Sequence, residues 1–468
     1  MKTLASGEVS LKPYGLNVFN IISLLLIVYV QFQNILGVPL RESSPQLSHA
    51  IFLVDKVFLF SLFLFIVYKR LLGKLLAVEN RQDKKYRLII PLKDELILFI
   101  ALIIFILWCL ISAAINQNSL GPTLFGIFSY IVYFFVFFIF SSIPYKKDLI
   151  KKSYIFLLNF SLILSLLSIF QVVLSFIYPG SVHWWPNIQH GDELWRLGFF
   201  RAPSLLGHPN SIGMFALFFW TIELAQAKNS VFKKKWINLV ILGIAILLSW
   251  SRTAISAALI APLLIVFNFR KMAIFSVLVI FFAVILFYPY LKGPYKEPSA
   301  DIFSYDEYRK FALDKSLKIW KDHPFFGVGP GMYGGHISIR FKSPIYYQYG
   351  FTGQFYDYLH NRVGSIEQQW AQALAELGIG GTVFFLCLMF TPYFILKKRI
   401  HEEQSPILKA IATGLMVMPF QMCFIYMISF TVTQQQQWLV PYFAFVGMLV
   451  GAKRRDICIK KYESTINQ

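Results

Sequence analysis

The run Glu95-Leu-Ile-Leu-Phe-Ile-Ala-Leu-Ile-Ile-Phe-Ile-Leu-Trp-Cys-Leu-Ile-Ser-Ala-Ala-Ile115 carries a single charge, at its first residue. Backbone N–H and C=O groups cannot be left unpaired in lipid, so a run this long and this apolar reads as a transmembrane helix. Similar runs recur along the chain. Twelve candidate spans emerge, at 17–36, 51–68, 95–115, 121–143, 153–178, 211–227, 236–250, 253–269, 272–291, 369–396, 406–430 and 436–452. The seventh and eighth almost touch at Trp250-Ser251-Arg252 and form either a hairpin or a broken pair. The first is read as a span rather than a cleavable signal, because eleven more follow it and no small-residue cleavage site is evident.

Composition agrees with the runs. Of 468 residues, 57% are hydrophobic and only 15% charged, against about 25% charged in soluble domains. This excludes a cytosolic enzyme, a DNA-binding factor and a disordered scaffold. The expected fold is an all-α polytopic membrane protein of about 12 transmembrane helices. Cys109, Cys387 and Cys423 lie in apolar runs and Cys458 in the basic tail, so neither a disulfide framework nor a zinc site is suggested.

The net charge of +20 is explained by where the basic residues fall. With the N-terminus inside, the inner segments hold 29 Lys and Arg, the outer segments hold 14, and Lys56 lies within a span. Ten of the outer 14 are in one long loop, and every short basic loop falls inside. That is the positive-inside pattern, and nucleic acid is not needed as a partner. Both termini are therefore expected in the cytoplasm and the long loops outside.

The expected organisation is an N-terminal bundle over 1–291 with an outer loop at 179–210, an outer loop domain over 292–368, and C-terminal helices with a basic tail over 369–468. Long loops of this kind are uncommon without function. The second contains a helix at about 305–321, with Asp306–Lys310 and Asp314–Lys318 pairs four residues apart. It ends before Pro324 and the run Gly327-Val-Gly-Pro-Gly331.

Three arginines stand near the outer face. Arg201 precedes the sixth span in Arg201-Ala-Pro-Ser-Leu-Leu-Gly-His208-Pro-Asn210, and Arg252 opens the eighth. Arg309 precedes Leu313, Leu317 and Trp320 along an apolar stripe of the loop helix. Snorkelling is the competing reading for Arg252, set against its being the only basic residue in its short outer connection, and an interfacial salt bridge is the competing reading for Arg309. Together they suit a diphosphate, since guanidinium is always charged and grips phosphate oxygens in a fork. The anion that fits the setting is a polyprenyl pyrophosphate carrying a glycan.

Glu367 stands where the long loop enters the tenth span, and a partly desolvated carboxylate there can serve as a base. An exposed Glu favoured by the helix dipole is the competing reading. Glu376 lies nine residues deeper, where a carboxylate is usually paired or functional. Seven of eight histidines (49, 183, 190, 208, 323, 336, 360) fall outside, and His208 is read as organising its own turn with Asn210. Trp184, Trp185 and Trp195 are candidates for stacking on sugar rings, or an ordinary interfacial belt. The outer face carries no Asp-x-Asp pair, and the chain no P-loop or dinucleotide fingerprint, so neither metal nor cofactor is expected.

These blocks, in this order, resemble the O-antigen ligase/O-antigen polymerase (Wzy-type) family of integral membrane glycosyltransferases. The resemblance rests on Arg201 to Asn210, on Arg309 to Gly331 with Trp320-Lys-Asp-His323-Pro324 and Phe326-Gly-Val-Gly-Pro-Gly331, and on Ala375-Glu376-Leu-Gly378-Ile-Gly-Gly381. Ser251-Arg252-Thr253 fits a shorter motif. The family implies a GT-C-like fold with the long outer loop between helices 9 and 10. It also implies an undecaprenyl-pyrophosphate-linked oligosaccharide donor and metal-independent transfer outside the plasma membrane. Arg201, Arg252 and Arg309 are then the pyrophosphate-binding residues, with His208, Asn210 and Glu376 in supporting positions. The sequence departs from the ligase pattern where ligases carry His-Asn, nine and eight residues before Glu376. Here Glu367 and Gln368 stand there, and the nearest His-Asn pair is His360-Asn361. The expected activity is a polysaccharide polymerase with Glu367 or His360 as base, working beside a flippase and a chain-length regulator. A ligase acting on lipid A core or protein is the alternative. A lipid-linked glycan transporter is the alternative of another class, disfavoured because Asp55 and Lys56 are taken as the main charges within spans.

Overall fold

The computed structural model describes residues 25, 27–31, 33, 44, 47, 51, 54, 56–68, 93–178, 195–196, 199–229, 236–266, 305–351, 356, 359, 366, 368–428 and 436–466. It is built almost wholly of helices. In chain order these are α1 (Lys56–Tyr68), α2 (Lys93–Ile115), α3 (Leu120–Ser141), α4 (Lys147–Ile177), α5 (Pro209–Asn229), α6 (Trp236–Leu248), α7 (Arg252–Val266), α8 (Tyr305–Asp322), α9 (His336–Arg340), α10 (Pro344–Gln348), α11 (Gln369–Glu402), α12 (Pro406–Ile428) and α13 (Gln436–Ile466). Among the described residues, α2, α3, α4, α11 and α12 are long and apolar enough to cross a membrane. The protein is a multi-pass helical membrane protein. The expected ninth span, 272–291, lies outside the described residues. One feature was not anticipated, a minimal antiparallel pair with Trp195 opposite Phe200 and Arg196 opposite Phe199.

Burial sorts the helices by position. Long stretches of α2 and α4 are exposed, as lipid-facing helices should be, whereas the Phe-rich α3 is buried along most of its length. α3 packs chiefly on α13. The approach is close because Gly447 and Gly451 lie on α13 one turn apart. A Cβ at Gly447 would lie 2.7 Å from the Phe137 carbonyl oxygen, and one at Gly451 would strike that of Ile143. This is the small-x-x-x-small device of membrane helices, which lets backbones meet where lipid offers no hydrophobic drive.

Contacts at helix ends give the chain direction. Gly213 at the start of α5 lies against Ser249 and Ala254, while Lys228 at its end bonds the Ile265 carbonyl. α5 and α7 therefore run parallel. α6 runs against both, since Asn238 near its start meets Glu223 in the second half of α5. α6 and α7 are a hairpin of short helices, α6 being about 20 Å long at 1.5 Å per residue. Its turn is made by Trp250, which takes a left-handed conformation (φ 47°).

The same reasoning puts the ends of α2, α4, α6 and α12 and the starts of α3, α5, α7 and α11 on one face, together with α8 to α10. The opposite face is closed by ion pairs. Asp94 pairs with Arg399 at 2.8 Å, Glu95 with Arg454 at 2.7 Å, and Lys147 with Glu403 at 3.1 Å.

Candidate functional site

On the loop face, the Gly-rich segment after α8 inserts into a break in α11. Gly378 has φ 63° and ψ −170°, a backbone conformation available essentially to glycine alone. The break releases helical hydrogen-bonding groups, which must find other partners. Val328 N–H donates to the Ala375 carbonyl at 2.9 Å and Gly329 N–H to that of Glu376 at 2.8 Å. In return, Ile379 N–H donates to the Pro324 carbonyl at 2.9 Å. Trp108 of α2 donates its indole N–H to the Leu377 carbonyl at 3.2 Å and stacks on Phe326, with ring centres 4.8 Å apart. Ser112, Asn116 and Asn118 donate to the carbonyls of Phe326, Gly327 and Val328. A side chain at Gly327 would collide with the Glu376 backbone, and one at Gly331 with the Pro122 carbonyl.

Glu376 lies at the centre of this junction and is fully buried. Its Oε2 accepts from the Tyr130 hydroxyl of α3 at 2.7 Å and from Gln372 Nε2 at 3.2 Å. Its Oε1 accepts the Tyr333 backbone N–H at 3.0 Å. A carboxylate so enclosed holds the 305–351 segment to the bundle. That segment has its own core, with Tyr308, Phe311, Ile319, Tyr333, Tyr346 and Phe351 buried together. Burial pushes the Tyr333 and Tyr346 hydroxyls well above the usual phenol range. On the rim, burial and a 2.9 Å bond to Asp322 push Tyr349 up to about 12.

The stripe expected on the loop helix is displaced. Leu313, Leu317 and Trp320 are only half-buried, and the face turned into the core is Tyr308, Phe311, Ala312, Ser316 and Ile319. The reason is that Tyr333 and Ser316 bring their hydroxyls into this core already bonded. Tyr333 donates to the Ala312 carbonyl at 2.7 Å, and Ser316 bonds the same carbonyl.

A second cluster lies on the same face. Arg201 is 7% exposed. Its Nε donates to the Ser249 carbonyl at 3.1 Å and its Nη2 to Asn210 Oδ1 at 2.8 Å. Both of these acceptors are neutral oxygens, and they orient the guanidinium. His208 Nδ1 accepts the Asn210 backbone N–H at 3.1 Å, which closes the turn at the start of α5. Ser251 accepts the Ala254 N–H at the start of α7, and Arg252, the first residue of that helix, is exposed. Arg201, His208, Asn210 and the turn leading to Arg252 are thus brought together. Arg309 lies on α8, but its side chain falls outside the described residues, as do Glu367, His360, Trp184, Trp185 and the side chain of Trp195.

The reading of charges within spans needs correction. Glu223 is buried in α5, accepting from the Tyr154 hydroxyl at 2.6 Å and from Asn238 Nδ2 at 3.0 Å. Like Glu376, it is a carboxylate buried within a helix of the bundle. The sequence carried the signal, a Glu in an apolar run within reach of Tyr and Asn on neighbouring spans.

Residues 237–386 match the family model described as O-Antigen ligase, a stretch that takes in the α6–α7 turn, α8, the inserted Gly-rich segment and Glu376. Over these residues the chain is similar to the O-antigen ligase/polymerase family. Members of this family are membrane glycosyltransferase-like enzymes. The match covers about a third of the chain, and Arg201 precedes it. No curated protein matches the chain.

Proposed function

We propose that the protein is a polysaccharide polymerase that joins oligosaccharide repeats from undecaprenyl-pyrophosphate-linked donors at the outer face of the plasma membrane. The observation that carries this reading is the buried Arg201 guanidinium, oriented by two neutral oxygens on the face where the Gly-rich segment docks. Lys147, Arg399 and Arg454 lie on the opposite face, which under the positive-inside rule is cytoplasmic. About twelve spans then leave both termini inside.

In the proposed reaction an acceptor hydroxyl attacks the anomeric carbon of the donor glycan. A new glycosidic C–O bond forms and the bond to the lipid pyrophosphate breaks. The pyrophosphate leaves on its lipid, stabilised by Arg201, Arg252 and Arg309 without a metal. The hydroxyl proton passes to Glu367 or His360. A single displacement inverts the anomeric configuration.

The ligase reading has one specific support, the description of the matching family model. It differs in acceptor, and Glu367-Gln368 in place of His-Asn favours the polymerase. Reconstitution with a defined lipid-linked repeat separates the two. A polymerase yields a ladder of repeats still on the carrier lipid. A protein that forms no ladder yet moves preformed polymer onto a separate acceptor is a ligase.

A further inference from the structure

The two short helices α9 and α10 share one buried and one exposed side. Ser338, Ile339, Ile345 and Tyr346 are buried in the outer core, whereas Arg340, Phe341, Lys342 and Tyr347 are exposed. An exposed Phe between two exposed cations calls for a reason, and its neighbours supply one. The Phe341 ring lies 6.0 Å from that of Phe125 and covers Gly121, where an added Cβ would come within 3.3 Å of it. Both contacts are in the first two turns of α3. There Leu120, Leu124 and Phe125 are 69%, 50% and 52% exposed. On a membrane helix, exposure of that kind means contact with lipid. Phe341 therefore extends the lipid-facing strip of α3 past the end of the span. That is the level at which hydrocarbon gives way to phosphate.

The cations fit the same level. Arg340 and Lys342 directly flank the ring, and neither side chain has an ion-pair or hydrogen-bond partner among the described residues. Long basic side chains at a span end lay their stems on apolar surface and reach for headgroups. A second contact repeats the arrangement without charge. Phe325 is 67% exposed, although the carbonyls of Pro324 and Phe325 accept from Ile379 and Gly380 of α11. Ile379 and Val383 on that stretch of α11 are themselves exposed.

We propose that the outer segment is seated on the bilayer through α9 and α10, with Phe341 among the acyl chains beside Phe125 and with Arg340 and Lys342 bound to the phosphates of anionic phospholipids. The surface is a lipid-docking face, separate from the Arg201 cluster and independent of the reaction proposed above. It holds the outer segment to the membrane at a point remote in sequence from Glu376.

The full-length protein carrying p-benzoylphenylalanine at 341 provides the test, in liposomes of one part phosphatidylglycerol to three parts phosphatidylcholine. Irradiation should yield phospholipid adducts at 341, with phosphatidylglycerol at least about twofold over its share of the bilayer. The R340E/K342E double variant should return that ratio to the bulk value while adducts persist. The same cross-linker at 325 should capture lipid in bulk proportion, with no dependence on the charge reversal. Absence of lipid adducts at 341 overturns the proposal. So does an adduct ratio that matches the bulk bilayer in the unreversed protein, or enrichment that survives charge reversal.

Discussion

Glu376 accepts the backbone N–H of Tyr333, a residue 43 positions earlier in the chain, at 3.0 Å. One partner belongs to a membrane-spanning helix and the other to the segment that follows α8. The bond is therefore a tie between two parts that apolar packing alone would leave free to slide. Its strength comes from burial, because a buried donor stripped of its acceptor cannot turn to water.

Replacing Glu376 by Ala removes the acceptor for Tyr333 N–H, the Tyr130 hydroxyl and Gln372 Nε2 at once. The expected loss is on the order of 3 kcal/mol, with partial recovery in Glu376→Gln, whose carbonyl oxygen can still accept one of these bonds. Thermal unfolding of the purified protein gives the order wild type, Gln, Ala. The tie is refuted if the Ala variant unfolds with the wild type.

Gly378 and Gly350 both have positive φ, 63° and 81°, yet their surroundings differ. A Cβ at Gly378 would meet the Phe325 carbonyl, whereas one at Gly350 would meet nothing closer than Lys315 Nζ at 3.6 Å. Gly350→Ala should cost about 1 kcal/mol from backbone strain alone. Gly378→Ala should cost several-fold more and expose the 324–331 segment to protease. Equal effects in the two variants would mean that the segment is not seated in the helix break.

The spans α2, α3, α4, α11 and α12 were legible because apolar runs of this length have one stable solution in lipid. The α6–α7 turn was legible as a break, and Arg201 and Asn210 as members of one block. Residue patterns could not reveal which carbonyls of α11 receive the amides of Val328 and Gly329, since backbone pairing across 40 or more positions leaves no local period. Gly447 and Gly451 did carry a readable signal, two glycines four residues apart in an apolar run. The buried stripe of α8 was misjudged by weighing Leu and Trp over Tyr. In this core Tyr308 is as deeply buried as an aliphatic residue. Glu367 and His360 lie outside the described residues, so their proposed role rests on sequence and family resemblance.

On the opposite face, each carboxylate oxygen of Glu95 accepts from Arg454 Nη2, at 2.8 and 2.7 Å, and the two side chains are 1% and 3% exposed. Such a pair gains little over an apolar substitute, but breaking it strands a charge. Glu95→Ala should destabilise the protein by about 3–5 kcal/mol, and Glu95→Leu combined with Arg454→Met by much less. A double-mutant cycle on unfolding temperature reads the coupling. Additive effects would show that the pair does not act as a unit.

Arg201 makes two bonds in different directions, to Ser249 O and Asn210 Oδ1, and only a branched guanidinium can hold both. Under the proposed function, Arg201→Lys keeps the charge but loses the aim and should lower polymer formation by roughly ten- to a hundredfold, the loss of one charged hydrogen bond in the transition state. Membrane insertion and unfolding temperature should change little. Ladders of normal intensity from the Lys variant would remove Arg201 from the site.

Tyr349, beyond the helices long enough to cross a membrane, supplies a pH signature. Its hydroxyl donates to Asp322 Oδ2 at 2.9 Å, and burial and that carboxylate push its pKa up to about 12, from about 10 in the unfolded chain. The folded state thus favours the protonated phenol. Its contribution is fully present below pH 10 and is lost as pH rises toward 12, since the ionised phenolate can no longer donate and repels Asp322. The side chain is partly exposed, so the effect is modest and screened by salt. The difference in unfolding temperature between wild type and Tyr349→Phe should be flat from pH 7 to about 10 and shrink above it. A difference that persists unchanged to pH 11.5, or that grows, would mean that the bond to Asp322 is not what sets this hydroxyl.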